Sequence, residues 1–318
     1  MYAREYRPTR SRKALVTLLS GLTLIWNAHA FAKPDMQPLG PNIADKGSAF
    51  YHFSVNSFDS ADGSRHYRVW TAVPNKAAPA SGYPILYMLD GNAVMDRLND
   101  DLLKQLAEKS PPVIVAVGYQ TNLPFDLNGR AYDYTPAAES GKTDTRNGRF
   151  NRKSGGSNDF RQLLETRIAP KVEQGLNIDR QRRGLWGHSY GGLFVLDAWL
   201  SSPYFRTYYS ASPSLGRGHD ALLSRITAVE PSQYCARRLM IMEGSATPGD
   251  NRETHAAGVL TKIHATLATL EDKGVNAAFW DFPNLGHGPM FNASFRGALL
   301  DISGENAGNT AGCHSLSR

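Results

Sequence analysis

Two runs that are apolar on both faces, Ile85 to Leu89 and Val113 to Val117, stand between breaker residues, the pattern of central strands in a covered parallel sheet. Between them Met95, Leu98, Leu102, Leu103 and Leu106 recur at helical spacing over 95–108, so a strand–helix–strand unit is predicted. Upstream, Tyr51 to Val55 alternates, and His66 to Val73 carries Tyr67, Val69, Trp70 and Val73 behind an Asp62-Gly63 turn. That is a predicted antiparallel hairpin. Downstream the rhythm continues with a helix over 159–174 kinked at Pro170, a short strand at Leu185-Trp186 and a helix over 193–200. A strand over 239–242, a long helix over 254–273 closed by Gly274, a strand over 277–282 and a helix over 291–300 follow. Strands alternating with helices after an antiparallel start predict one α/β sandwich over 50–318, with a mostly parallel central sheet and antiparallel N-terminal strands. Residues 31–49 read as an extended leader.

Composition supports a folded chain. The 318 residues are 41% apolar and 20% charged, far from the signature of disorder. The net charge of +6 suggests nucleic acid until its location is considered. Arg4, Arg7, Arg10, Arg12 and Lys13 precede an apolar run from Ala14 to Trp26, and Ala28-His29-Ala30 follows. A basic start, a short apolar stretch and A-x-A form an export signal over 1–30. Removing those five charges and Glu5 from 35 basic and 29 acidic residues leaves 30 against 28, and no nucleic-acid partner is expected. Cleaved or kept as an anchor, which would hold the chain at the inner membrane through 14–26, the segment predicts delivery to the periplasm. A monomer is expected there.

Export changes how Cys235 and Cys313 read. They fit no metal-ligand spacing and reach an oxidising compartment, so a bond pinning the C-terminal tail is expected, with two free thiols as the alternative. One stretch, 126–158, has no period, five glycines and, from Arg130 to Lys153, six basic residues against three acidic. It is either a solvated loop or a cationic flap that brings Arg130 to an anionic ligand. Its Gly141-Lys142-Thr143 is no phosphate loop, because Pro136 stands where the first glycine belongs.

The chemistry concentrates at Gly187-His188-Ser189-Tyr190-Gly191, a G-x-S-x-G between a predicted strand and a predicted helix. Such a turn strains the serine backbone, presents its hydroxyl to a cleft, and calls for glycine at both flanks. It also aims the Tyr190 amide at the point where an oxyanion would develop. A serine needs a base, and a histidine after the last strand selects His287 within Gly286-His287-Gly288. The second oxyanion amide is assigned to Asn92, in the glycine turn that ends Leu86-Tyr87-Met88-Leu89-Asp90-Gly91-Asn92. His188 should point sideways, and His255 and His264 lie on a predicted helix as surface or packing residues. No HExxH or carboxylate–histidine cluster argues for a metal, and no cofactor is expected. For a third, acidic partner of the base, Glu243 and Asp250 both remain candidates.

LYMLDGN (86–92), R-x-x-D-Y-T-P (130–136), GHSYGG (187–192) and GHG (286–288) occur in the order seen in the esterase branch of the α/β-hydrolases that includes esterase D, the mycolyltransferases and the feruloyl esterases. Within it the chain resembles the IroE-type periplasmic trilactone siderophore esterases across essentially the whole mature sequence. The resemblance implies an α/β-hydrolase three-layer sandwich and hydrolysis of the ester bonds of enterobactin and salmochelin to linear products, serving iron acquisition. It implies Ser189 as nucleophile, His287 as base working without a conventional acid, and the amides of Asn92 and Tyr190 as oxyanion donors. An anionic ferric catecholate would suit Arg130. An exported acyltransferase or feruloyl-type carboxylesterase would use the same serine, and a non-catalytic siderophore-binding protein could keep the cleft without the chemistry.

Overall fold

A computed structural model describes residues 35–137, 152–216, 219, 221–245 and 258–304. The export segment, most of the stretch from 138 to Lys153, Asp250, His255 and Cys313 lie outside the described residues. Cys235 is disulfide-bonded.

Eight strands form one sheet: β1 (Tyr51–Asp59), β2 (His66–Pro74), β3 (Tyr83–Leu89), β4 (Val113–Tyr119), β5 (Ile178–His188), β6 (Thr207–Ala211), β7 (Arg238–Ser245) and β8 (Ala277–Pro283). Their spatial order is β1-β2-β4-β3-β5-β6-β7-β8. The hairpin runs in register from Tyr51 opposite Pro74 to Asp59 opposite His66, and β2 pairs antiparallel with β4. Every later pairing is parallel. All seven residues of β3 and of β4 are buried, because helices cover both faces of the sheet.

The helices are α1 (Ile43–Lys46), α2 (Gly91–Arg97), α3 (Asp100–Ala107), α4 (Gly129–Asp133), α5 (Ser157–Leu163), α6 (Ala169–Val172), α7 (Tyr190–Ser201), α8 (Ala221–Thr227), α9 (Val259–Asp272) and α10 (His287–Ile302). Alternate β3 side chains divide the core. Leu86 and Met88 pack with residues of α2, α3 and α10, whereas Ile85, Tyr87 and Leu89 pack with residues of α5 to α9. The leader is tied down: α1 carries a capping box between Asn42 and Asp45, Ile43 is buried, and the Leu39 amide donates to the Asn122 carbonyl at 2.8 Å.

Four readings of the sequence need correction. The helix expected over 95–108 is two helices, because Asn99 leaves the helical conformation and caps the Leu102 amide at 3.0 Å, with Asp100 and Asp101 favouring a fresh N-terminus. The Pro170 kink is a π-turn over Leu164–Ile168 that leads into α6 with the proline in its first turn, where a missing N–H costs little. β6, with the sequence Thr-Tyr-Tyr-Ser-Ala, went unrecognised although all five residues are buried. Its hydroxyls are satisfied internally: Tyr208 donates to the Ser202 carbonyl, Tyr209 to Asp301 and Ser210 to the Gly192 carbonyl. The described part of 126–158 is ordered, with α4 in its first third.

Candidate active site

β3 and β5 are neighbours whose residues run level from Leu86 opposite Gly184 to Met88 opposite Trp186. The chain leaves β3 toward β4 on one side, while β5 continues the sheet on the other. A crevice outside the carboxyl ends of the strands belongs at such a switch point. α2 begins just beyond β3 and α7 just beyond β5, so two helix N-termini, each with amides lacking an intrahelical acceptor, arrive side by side.

Ser189 forms the hinge between β5 and α7 at φ 61° and ψ −115°, a backbone conformation that non-glycine residues rarely adopt. The neighbouring elements hold it there. Its amide donates to the Ala211 carbonyl of β6 at 2.9 Å, and its carbonyl accepts from the amides of Leu193 at 3.0 Å and Ser214 at 3.1 Å. Glycine is required where packing is tightest. A Cβ on Gly187 would enter the backbone of Gly191, and one on Gly192 would lie 2.6 Å from the Ala211 carbonyl oxygen. Gly191 departs from the motif reading, since its Cβ would meet Leu89 at an ordinary 3.6 Å.

His287 opens α10 immediately after the loop that follows β8, and its Nε2 lies 3.1 Å from Ser189 Oγ. A second hydroxyl reaches the same oxygen: Ser214 Oγ stands 3.0 Å from Ser189 Oγ. His188 points sideways toward α10, as its place inside the turn predicts. Its Nε2–H donates to the His287 carbonyl at 2.8 Å, and its ring lies against the His287 ring with centroids 4.7 Å apart. Burial, and after it the proximity of His287, holds the His188 pKa well below the ordinary histidine value, so this imidazole is neutral. Phe291, one turn along α10, meets the His188 ring edge-on, and Arg97 of α2 lies over Phe291 with its guanidinium carbon 5.0 Å from the ring centre.

Tyr190 is the first residue of α7 and Asn92 the second of α2. The Asn92 side chain accepts from the Tyr119 amide at 2.8 Å and donates to the carbonyls of Tyr119 at 3.1 Å and Thr121 at 2.9 Å. These bonds fix the start of α2 to the end of β4. The Asn92 nitrogen lies against Gly118, whose Cβ would approach it to 2.8 Å.

Arg130 does not sit on a solvent-facing flap. It is 8% exposed, on α4, and its Nε and Nη2 donate to the two carboxylate oxygens of Asp90, each at 2.8 Å. Asp90 is itself 2% exposed, in a left-handed conformation at the end of β3. A buried guanidinium requires such a partner, and the bidentate bond through Nε and Nη2 anchors Arg130 at the end of β3. The rings of Phe125, Tyr134 and Tyr190 surround it at 5.3, 5.7 and 5.5 Å, so the pair braces the residue next to Ser189. Glu243 is buried near the end of β7. His264 packs on Phe279 of β8 with centroids 4.3 Å apart.

The chain is 83% identical over 317 residues to the apo-salmochelin esterase of Escherichia coli O6:H1, covering all of both chains. The chain belongs to the IroE-type esterases. The Esterase family model matches residues 60–216 of this esterase. The solved structure of the enterobactin hydrolase IroE in complex with DFP is 81% identical, with a TM-score of 0.75 over 83% of this chain and all of that one. The ferri-bacillibactin esterase BesA of Bacillus subtilis is 30% identical, covering 73% of this chain and 83% of that one. The α/β-hydrolase sandwich and its mostly parallel sheet are shared with the IroE structure, and this esterase is a serine hydrolase acting on carboxylic esters.

The sequence reading missed Ser214, the hold of His188 on α10 and the Arg97–Phe291 wall. Ser214 follows the unrecognised β6. The Arg97 signal was weak, since it falls at the end of a helix that was expected to continue.

Proposed function

We propose that this esterase hydrolyses the lactone esters of cyclic catecholate siderophores of the enterobactin and salmochelin kind, in the periplasm, to linear products. The observation that carries the reading is the 3.1 Å contact between His287 Nε2 and Ser189 Oγ at a strained strand–helix turn. The 83% identity to an apo-salmochelin esterase supports the substrate class. The basic and apolar N-terminal segment supports export.

In the first half-reaction Ser189 Oγ attacks a lactone carbonyl as its proton passes to His287 Nε2. The carbonyl oxygen, now an oxyanion, is held by the amides of Tyr190 and Asn92 at the adjoining helix N-termini. Collapse of the tetrahedral intermediate breaks the ring C–O bond, His287 returns the proton to the departing alkoxide, and a ring-opened acyl-enzyme is left. Water, deprotonated by the same imidazole, then releases the linear acid. The neutral ring of His188 clasps the His287 main chain, so the imidazole meets the serine with little reorganisation.

Purified enzyme incubated with apo and ferric cyclic trilactones, with products followed by mass, tests the reading. Linear trimers that appear with wild type and not with Ser189→Ala support it; an unchanged trilactone overturns it.

A further inference from the structure

The nucleophile has two polar neighbours, and it has only one proton. Ser189 Oγ lies 3.1 Å from His287 Nε2 and 3.0 Å from Ser214 Oγ. A hydroxyl donates one hydrogen bond and accepts through two lone pairs. If His287 is to remove the proton, Ser189 must donate to Nε2, and the Ser214 contact can then be made only by the Ser214 proton. If instead Ser189 donates to Ser214, the imidazole faces it as a donor and the pair is idle.

We propose that Ser214 is a third catalytic side chain, whose hydroxyl donates to Ser189 Oγ, selects the reactive direction of this hydrogen-bond chain and stabilises the negative charge that grows on Oγ as its proton departs. The inference deepens the reading of Ser189 as nucleophile and rests on it. During attack the Ser189 proton goes to Nε2 and the Oγ–C bond forms, while the Ser214 proton stays on its own oxygen.

The backbone around Ser214 is built for this placement. Ser212 adopts φ 40°, an unfavourable region for a residue with a side chain, and its amide donates to the Met242 carbonyl at 2.9 Å. Pro213 follows, packed so closely under α7 that a Cβ on Gly192 would come within 3.1 Å of it. The Ser214 amide then donates to the Ser189 carbonyl at 3.1 Å. The loop after β6 is thus attached to the nucleophile twice, once through main chain and once through hydroxyl. A loop with only a structural duty needs the first bond and not the second.

The test compares wild type, Ser214→Ala, Ser214→Thr and Ser189→Ala on a neutral p-nitrophenyl ester and on a fluorophosphonate. Ser214→Ala keeps the main-chain bond, so its melting temperature should stay at the wild-type value. Its kcat and phosphonylation rate should both fall about tenfold, the rate equivalent of one hydrogen bond, with KM unchanged. Ser214→Thr should recover most of the rate. Wild-type rates in Ser214→Ala, or equal losses in the alanine and threonine variants, would overturn the role of the hydroxyl. Activity persisting in Ser189→Ala would overturn the underlying assignment instead, so the two failures are told apart.

Discussion

Ser189 Oγ and His287 Nε2 meet at 3.1 Å across 98 positions of sequence, one at the carboxyl end of a central strand and the other at the start of the final described helix. Their contact makes a hydrolytic reading specific. Ser189→Ala should abolish turnover of any ester, and His287→Ala should lower kcat by about 10²–10⁴, the range of a general base. Both variants should melt as wild type does. Measured kcat and thermal denaturation check this; a His287→Ala variant with full kcat would sink the assignment.

The Asp90–Arg130 pair predicts a structural effect where a charged flap would have predicted a selective one. Arg130→Ala leaves a buried carboxylate without its bidentate partner, a loss of about 3–5 kcal/mol by analogy with other broken buried pairs. Stability should fall by that order, and hydrolysis of a small neutral ester should suffer as much as hydrolysis of an anionic trilactone. A loss confined to the anionic substrate would refute the bracing role.

Glycines of the nucleophile turn should differ in tolerance. Gly191→Ala meets Leu89 only at van der Waals distance, and within a helix alanine is favoured over glycine by about 1 kcal/mol. The variant should fold and retain its esterase activity. Gly192→Ala forces a methyl against the Ala211 carbonyl at 2.6 Å and should be strongly destabilised. Denaturant melts of the two proteins decide the matter, and equal stabilities would count against the packing argument.

Asp133, fully buried on α4, accepts from Arg65 Nε at 2.8 Å, from Tyr67 at 2.8 Å and from Tyr119 at 2.9 Å. Burial outweighs these bonds and raises its pKa from 3.8 to about 6. Between those values the folded state binds the proton and the unfolded chain does not, so this group's contribution to stability falls as pH rises through that window. His188 acts with the opposite sign. Its depressed pKa means that the unfolded chain takes up the proton first, and stability is lost as pH falls below the ordinary histidine value. Chemical denaturation from pH 4 to 8 should therefore show the Asp133→Asn variant more steeply stabilised by rising pH than wild type; parallel curves would refute the assignment.

The parts of the fold that were legible in the sequence are those where one face, or both, is uniformly apolar. Ile85 to Leu89 and Val113 to Val117 declare themselves because their side chains carry a single polar atom, the Tyr87 hydroxyl, which donates to Glu173. β6 did not, since its tyrosines and serine look polar until their hydroxyls find acceptors at Ser202, Asp301 and Gly192. The same logic divides the site. Ser189 is marked by Gly187 and Gly192, which close packing demands, and His287 by its place after the last described strand, whereas nothing local marks the pairing of Arg130 with Asp90, 40 positions away. Ser214 carries no local mark at all. Only the apposition of β5 and β6 brings it to the nucleophile.

The order in which the chain is made has a bearing on when it becomes active. The nucleophile is held by β5, α7 and β6, whereas the base comes with α10, which follows every described strand in the chain. A chain ending before residue 287 would carry Ser189 without the imidazole that pairs with it. Ser189 and its base therefore become a pair only where the final described helix docks on the sheet.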